Sequence, residues 1–143
     1  MAEAIRTILV PVDGSDGSRR ALEEALLLAR TFDARLIVLE VIEEFGPLPG
    51  HYDAAPAGID RVSWLAEERF RSLRAALDEG EVRWERMVEQ GYPAQVICEI
   101  AEAEGADLIV MGHRGLSPVA RFLLGSVSDK VVRNAACSVM VAR

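Results

Sequence analysis

The chain has 143 residues, half of them hydrophobic but only 6% aromatic, and a formal charge of -7. That length suits one domain, residues 1–143, able to bury a core of Leu, Ile, Val and Ala without disulfides or metals. The negative field repels polyanions, which disfavours nucleic acids and anionic membranes as partners, and no stretch approaches the roughly 18 apolar residues of a membrane helix. The start, Met-Ala-Glu-Ala-Ile-Arg, lacks the apolar core of a leader, and the expectation is a cytoplasmic protein. Cys98 and Cys137 form no C-x-x-C pair and read as small buried hydrophobes.

Residues 5 to 12 form an apolar run stopped by Asp13-Gly14-Ser15, a buried strand in which Pro11 is tolerable only because it lies near the end. Leu22, Ala25, Leu26 and Ala29 recur at helical spacing between Asp16 and Phe32, with Ser15 or Asp16 as N-cap. Arg35 to Ile42 is a second buried strand. From Glu43 to Gly58 the periodicity fails and a long loop is expected. A helix follows from Ile59 to Asp78 and ends at Gly80. Glu81 to Glu89 alternates, with Val82, Trp84 and Val88 in step, which predicts a half-exposed edge strand. Pro93 opens a third helix at a position where a missing N–H costs nothing. Ala106 to Met111 is a fourth strand, Ser126 to Ala135 a fourth helix and Ser138 to Ala142 a last strand. Strands alternating with helices predict an α/β fold with a parallel sheet and right-handed crossovers, helices on both faces; an open five-stranded sheet in the flavodoxin-like order 3-2-1-4-5 is expected.

After the fourth strand comes Gly112-His-Arg-Gly115, then nine residues, then Gly125-Ser126. Glycines hung on a strand end let the main chain adopt left-handed conformations and bring its amides close to an anion. A helix starting at Gly125, with Ser126, Val127 and Ser128 in its first turn, adds unpaired N–H groups and the positive end of a dipole. The pattern therefore predicts a phosphate cradle, most plausibly for a nucleotide. In a sheet of this order, ligands bind where the winding reverses, between the first and fourth strands, so Asp13 is expected to face Met111 and Gly112.

The G-x2-G-x9-G-[ST] spacing, with Ile8-Leu-Val-Pro-Val-Asp-Gly-Ser15 at the first strand and Cys137-Ser-Val-Met-Val141 at the last, resembles the ATP-binding branch of the universal stress protein family. The resemblance runs over nearly the whole chain. It implies ATP as ligand, with or without Mg²⁺, an adenine pocket lined by Pro11, Val12 and Val41 through backbone contacts, and a homodimer joined through strand 138–142. At Ser138 the family commonly has Pro, a departure that bears on how the strand begins. As residues alone, Pro11, Val12 and Val41 read equally as core.

Asp13 is expected to accept hydrogen bonds from a ribose or base, or to hold a water of a phosphate-bound Mg²⁺; the bland alternative is a turn or cap aspartate. Ser126 and Ser128 either donate to phosphate or cap their own helix. Arg114 lies inside the glycine motif as a phosphate partner or a solvated charge, while Arg121 and Lys130 read more as surface. His113 reads as an exposed loop histidine, and His51 has no identifiable partner. No G-x4-G-K-[ST] is present, and the phosphate loop holds no lysine, which argues against a Walker-type NTPase. The function expected is a nucleotide-dependent stress-response or signalling module; a slow Mg-dependent ATPase or phosphotransferase, and a flavin or other nucleotide carrier, are the alternatives.

Overall fold

The computed structural model describes residues 4–43, 60–113 and 125–143. Arg114, Gly115 and Arg121 of the glycine motif, and nearly all of the loop between Glu43 and Gly58 including His51, lie outside the described residues. The elements in chain order are β1 (Thr7–Val12), α1 (Asp16–Phe32), β2 (Arg35–Ile42), α2 (Arg61–Glu79), β3 (Trp84–Gln90), α3 (Pro93–Ala103), β4 (Leu108–Gly112), α4 (Ser126–Asn134) and β5 (Ser138–Ala142). The strands form one five-stranded parallel sheet in the order β3-β2-β1-β4-β5, as expected.

Alternation along each strand sends its apolar side chains to two separate cores. Ile8, Val10 and Val12 with Leu36 and Val38 meet Leu22, Ala25 and Leu26 of α1 and Phe70, Leu73 and Leu77 of α2. Leu9, Ile37, Leu39, Val41, Ile109 and Met111 meet Ile97 and Ala101 of α3 and Val131 of α4. Helices thus cover the two faces in consecutive pairs, and the winding reverses between β1 and β4.

Helix starts follow local chemistry. Ser15 caps α1, its Oγ accepting from the Ser18 N–H at 3.2 Å. Asp60 caps α2, accepting from the Ser63 N–H at 3.1 Å. Pro93 begins α3. A side-chain oxygen at this position satisfies a first-turn donor that the helix itself cannot.

Several ends differ from the sequence reading. β1 begins at Thr7 rather than at residue 5, because Asp107 Oδ2 accepts from the Arg6 and Thr7 N–H groups at 2.9 and 3.0 Å. β3 starts at Trp84, after a turn in which Glu81 has a φ of 54°. Val82 and Trp84 pack on the α1/α2 core as expected, but Val88 is 39% exposed and the inward position between them is Arg86. Both cysteines are free and half-buried rather than enclosed, and burial pushes their thiols up. Among the described residues, no helix is long and apolar enough to cross a membrane.

Candidate functional site

The carboxyl ends of β1 and β4 meet at the reversal. Their ladder holds the pairs Ile8↔Leu108 and Leu9↔Ile109, whereas β1 stays paired with β2 as far as Val12↔Glu40. Beyond Leu9 and Ile109 the two strands are no longer in register contact, and Pro11 contributes no N–H there. This is the position at which the strand order places the ligand crevice of a doubly wound sheet.

Its β1 rim is a tight turn. Asp13 Oδ1 accepts from the Ser15 N–H at 2.9 Å, and Ser18 Oγ accepts from the Asp13 N–H at 3.4 Å while donating to the Ser15 carbonyl at 3.0 Å. Gly14 has a φ of 84°, a conformation that disfavours a Cβ. Asp13 is therefore the turn aspartate of the bland alternative. Its carboxylate is nonetheless only partly buried at the mouth of the crevice, and an ionised carboxylate has further acceptor capacity.

Across the crevice, Gly112 ends β4 in close contact with α1: a Cβ built there would fall 2.4 Å from the Gly17 carbonyl carbon and 2.5 Å from its oxygen. The expected reason for this glycine, a left-handed backbone near an anion, is corrected. Gly112 has no positive φ, and the missing side chain makes room for the first turn of α1. Gly17, which the sequence reading passed over, is the other half of this contact; its only signal was a glycine in a helix's first turn.

α4 is seated on the same strand end. Ser128 is 4% exposed, and its Oγ donates to the Gly112 carbonyl at 3.0 Å. That hydroxyl ties helix to strand rather than capping its own helix. Ser126 is exposed, Gly125 is the N-cap, and no side chain at the cap position accepts from the first turn. The His113 N–H donates to the Ala142 carbonyl at 3.0 Å, joining the motif to β5.

Val41 and Met111 lie in the α3/α4 core, with Val127 packed against it, so three expected site residues converge on one apolar wall. Val12 does not join them. Its side chain belongs to the α1/α2 core, which leaves its backbone for any ligand contact. Pro11, partly buried, alternates toward the Val41 side.

One ionised cluster was missed altogether. Glu40, read as part of an apolar strand, is fully buried, and Arg86 Nε donates to its Oε1 at 2.8 Å. Arg86 Nη1 donates to Glu67 Oε1 at 2.6 Å, and the guanidinium lies over the Phe70 ring at 4.2 Å. Burial pushes the Glu40 carboxyl above its ordinary 4.5 despite Arg86, whose hydrogen bond holds Glu67 below that value. A Glu in a hydrophobic run, with an Arg in the alternating strand that follows it, was the available signal.

The fold is that of an open, doubly wound α/β protein with the start of α4 seated on the end of β4 at the switch point. The chain belongs to the universal stress protein family, whose profile matches residues 4–143. A universal stress protein from Thermus aquaticus, encoded in the QAH/OAS sulfhydrylase 3' region, is 38% identical over 96% of this chain and 98% of its own. The structure of a universal stress protein in complex with cAMP superposes with a TM-score of 0.75, 27% identity and 99% coverage of both chains. An Arabidopsis thaliana family protein with AMP bound shares the fold at a TM-score of 0.71 and 23% identity, covering 96% of this chain and 90% of its own.

Proposed function

We propose that this chain is an ATP-binding universal stress protein that acts as a nucleotide-dependent stress-response or signalling module. The observation that carries the reading is the seating of α4. Ser128 fixes the helix start to Gly112, so the first turn of Ser126, Val127 and Ser128 is seated at the end of β4. Helix N-termini favour anions through these amides and the dipole, which suits a phosphate chain. Val41, Met111 and Val127 supply an apolar wall suited to adenine, and Asp13 an acceptor suited to ribose hydroxyls. Arg114 and Gly115 complete the motif in sequence. That two relatives of the same fold carry cAMP and AMP is consistent with an adenine nucleotide here.

In this reading, bound nucleotide alters the surface offered to partners. We also propose a homodimer through β5, which among the described residues pairs with β4 alone at the edge of the sheet. Native mass spectrometry of fresh protein, followed by calorimetry with ATP and Mg²⁺ on wild type and Gly115→Val, tests the ligand. Binding by wild type that the variant loses supports the cradle. No binding by wild type refutes the nucleotide reading.

A further inference from the structure

α2 reaches the candidate site through Arg69. A Cβ built on Gly14 would lie 3.3 Å from Arg69 Cγ, 3.7 Å from its Cβ and 3.8 Å from its Cα, so the Arg69 stem covers the turn that carries Asp13. The same part of α2 is pinned from the other side. Arg86 of β3 bonds Glu40 of β2 and Glu67 of α2 together, two residues before Arg69.

Arg69 is also held where a free arginine would not stay. Its Nε is enclosed and has no hydrogen-bond partner among the described residues, as are Glu40 Oε2 and Arg86 Nη2. An enclosed donor without an acceptor costs free energy that a side chain extended into solvent avoids. Two things offset that cost: the attraction between the Arg69 charge and the buried Glu40 carboxylate, and the packing of the stem on Gly14.

We infer that Arg69 is a positioning residue of the candidate site: α2, pinned by the Glu40–Arg86–Glu67 chain, uses the Arg69 stem to hold the Asp13–Gly14–Ser15 turn and hence the posture of the Asp13 carboxylate. The turn depends on that support because Gly14, at a φ of 84°, has wide conformational freedom and no side chain of its own to pack. The consequence for ligand affinity rests on the nucleotide reading above; the consequence for the turn does not.

The test uses two variants, the full chain and two readouts. Arg69→Met keeps a stem of similar length, and Arg69→Ala removes it. In unliganded protein the ¹⁵N-resolved amide signals of Gly14 and Ser15 are expected to shift in Arg69→Ala and to stay at wild-type positions in Arg69→Met. Calorimetry with AMP is expected to give affinity about tenfold weaker for Arg69→Ala and within about twofold of wild type for Arg69→Met. A helix merely loosened overall would move signals throughout α2 and leave the two variants alike. Gly14 and Ser15 signals unchanged in Arg69→Ala, or moved equally in both variants, overturn the inference. Wild type that binds neither AMP nor ATP, with the Arg69→Ala signals still displaced, removes the nucleotide reading and leaves the positioning role standing.

Discussion

Gly17 in the first turn of α1 and Gly112 at the end of β4 touch backbone to backbone, and this contact closes the floor of the crevice. A Cβ on Gly112 would lie 2.4 Å from the Gly17 carbonyl carbon, a distance only main-chain movement relieves. Gly112→Ala is expected to cost about 2–3 kcal/mol, in the range of overpacked sites. At Gly17 a Cβ would meet the His113 carbonyl oxygen at 3.3 Å, a lesser conflict, so Gly17→Ala is expected to cost clearly less. Urea denaturation checks the order, and equal midpoints for the two variants would refute it.

Ser126 and Ser128 separate structure from ligand. Ser128 is buried and bonded to Gly112, so Ser128→Ala leaves a carbonyl without its donor and is expected to destabilise by about 1–2 kcal/mol. Exposed Ser126 has no such role. Ser126→Ala is expected to leave the melting temperature alone and to weaken ATP by about 1 kcal/mol, roughly fivefold. Thermal melts and calorimetry on both variants read this out, and a reversed pattern sinks the assignment.

Glu40 and Arg86 form a pair whose Glu is fully enclosed and whose Arg side chain is 19% exposed. Removing Glu40 strands Arg86 with Glu67 alone; Glu40→Leu is expected to cost about 2–3 kcal/mol, less than a fully enclosed pair, and Glu40→Leu/Arg86→Leu to recover part of it. A double variant as unstable as the sum of the singles would show no coupling.

The same pair predicts a pH slope. Burial raises the folded Glu40 pKa above 4.5, so the folded state holds the proton longer than the unfolded one, and stability declines as pH rises from 4.5 through the folded value. Glu67, held low by Arg86, acts in the opposite sense at lower pH: its contribution is present above 4.5 and is lost as pH falls through its folded value. Glu40→Gln is expected to remove the first slope and keep the second. Denaturation curves between about pH 3 and 8 decide it, and a wild-type slope surviving in Glu40→Gln contradicts the account.

For the dimer, Val141 is the position to charge. It is partly buried, and neither core includes it, whereas Met140 packs on the α1/α2 core. Val141→Glu is expected to give folded monomers by sizing with light scattering, because a charge on an edge strand opposes pairing. Unchanged dimers would rule out β5 as the joint.

Much of this protein was legible along the chain. Alternating strands and helices give a parallel sheet with helices on both faces, since parallel crossovers have one hand, and β2 and α1 fall where their apolar spacing puts them. The reversal point and the glycine spacing, both properties of residue order, place Asp13 and Gly112 on opposite sides of one crevice. What residue order cannot express is which atoms a neighbour in space supplies. Gly112 is a glycine because α1 lies against it, Ser128 is bound to a carbonyl sixteen residues back, and Glu40 is tolerated in a buried strand because Arg86 reaches it from the next one. A one-dimensional pattern records hydrophobicity and turn propensity; close backbone approach, and the pairing of a charge across strands, exist only once the chain has folded.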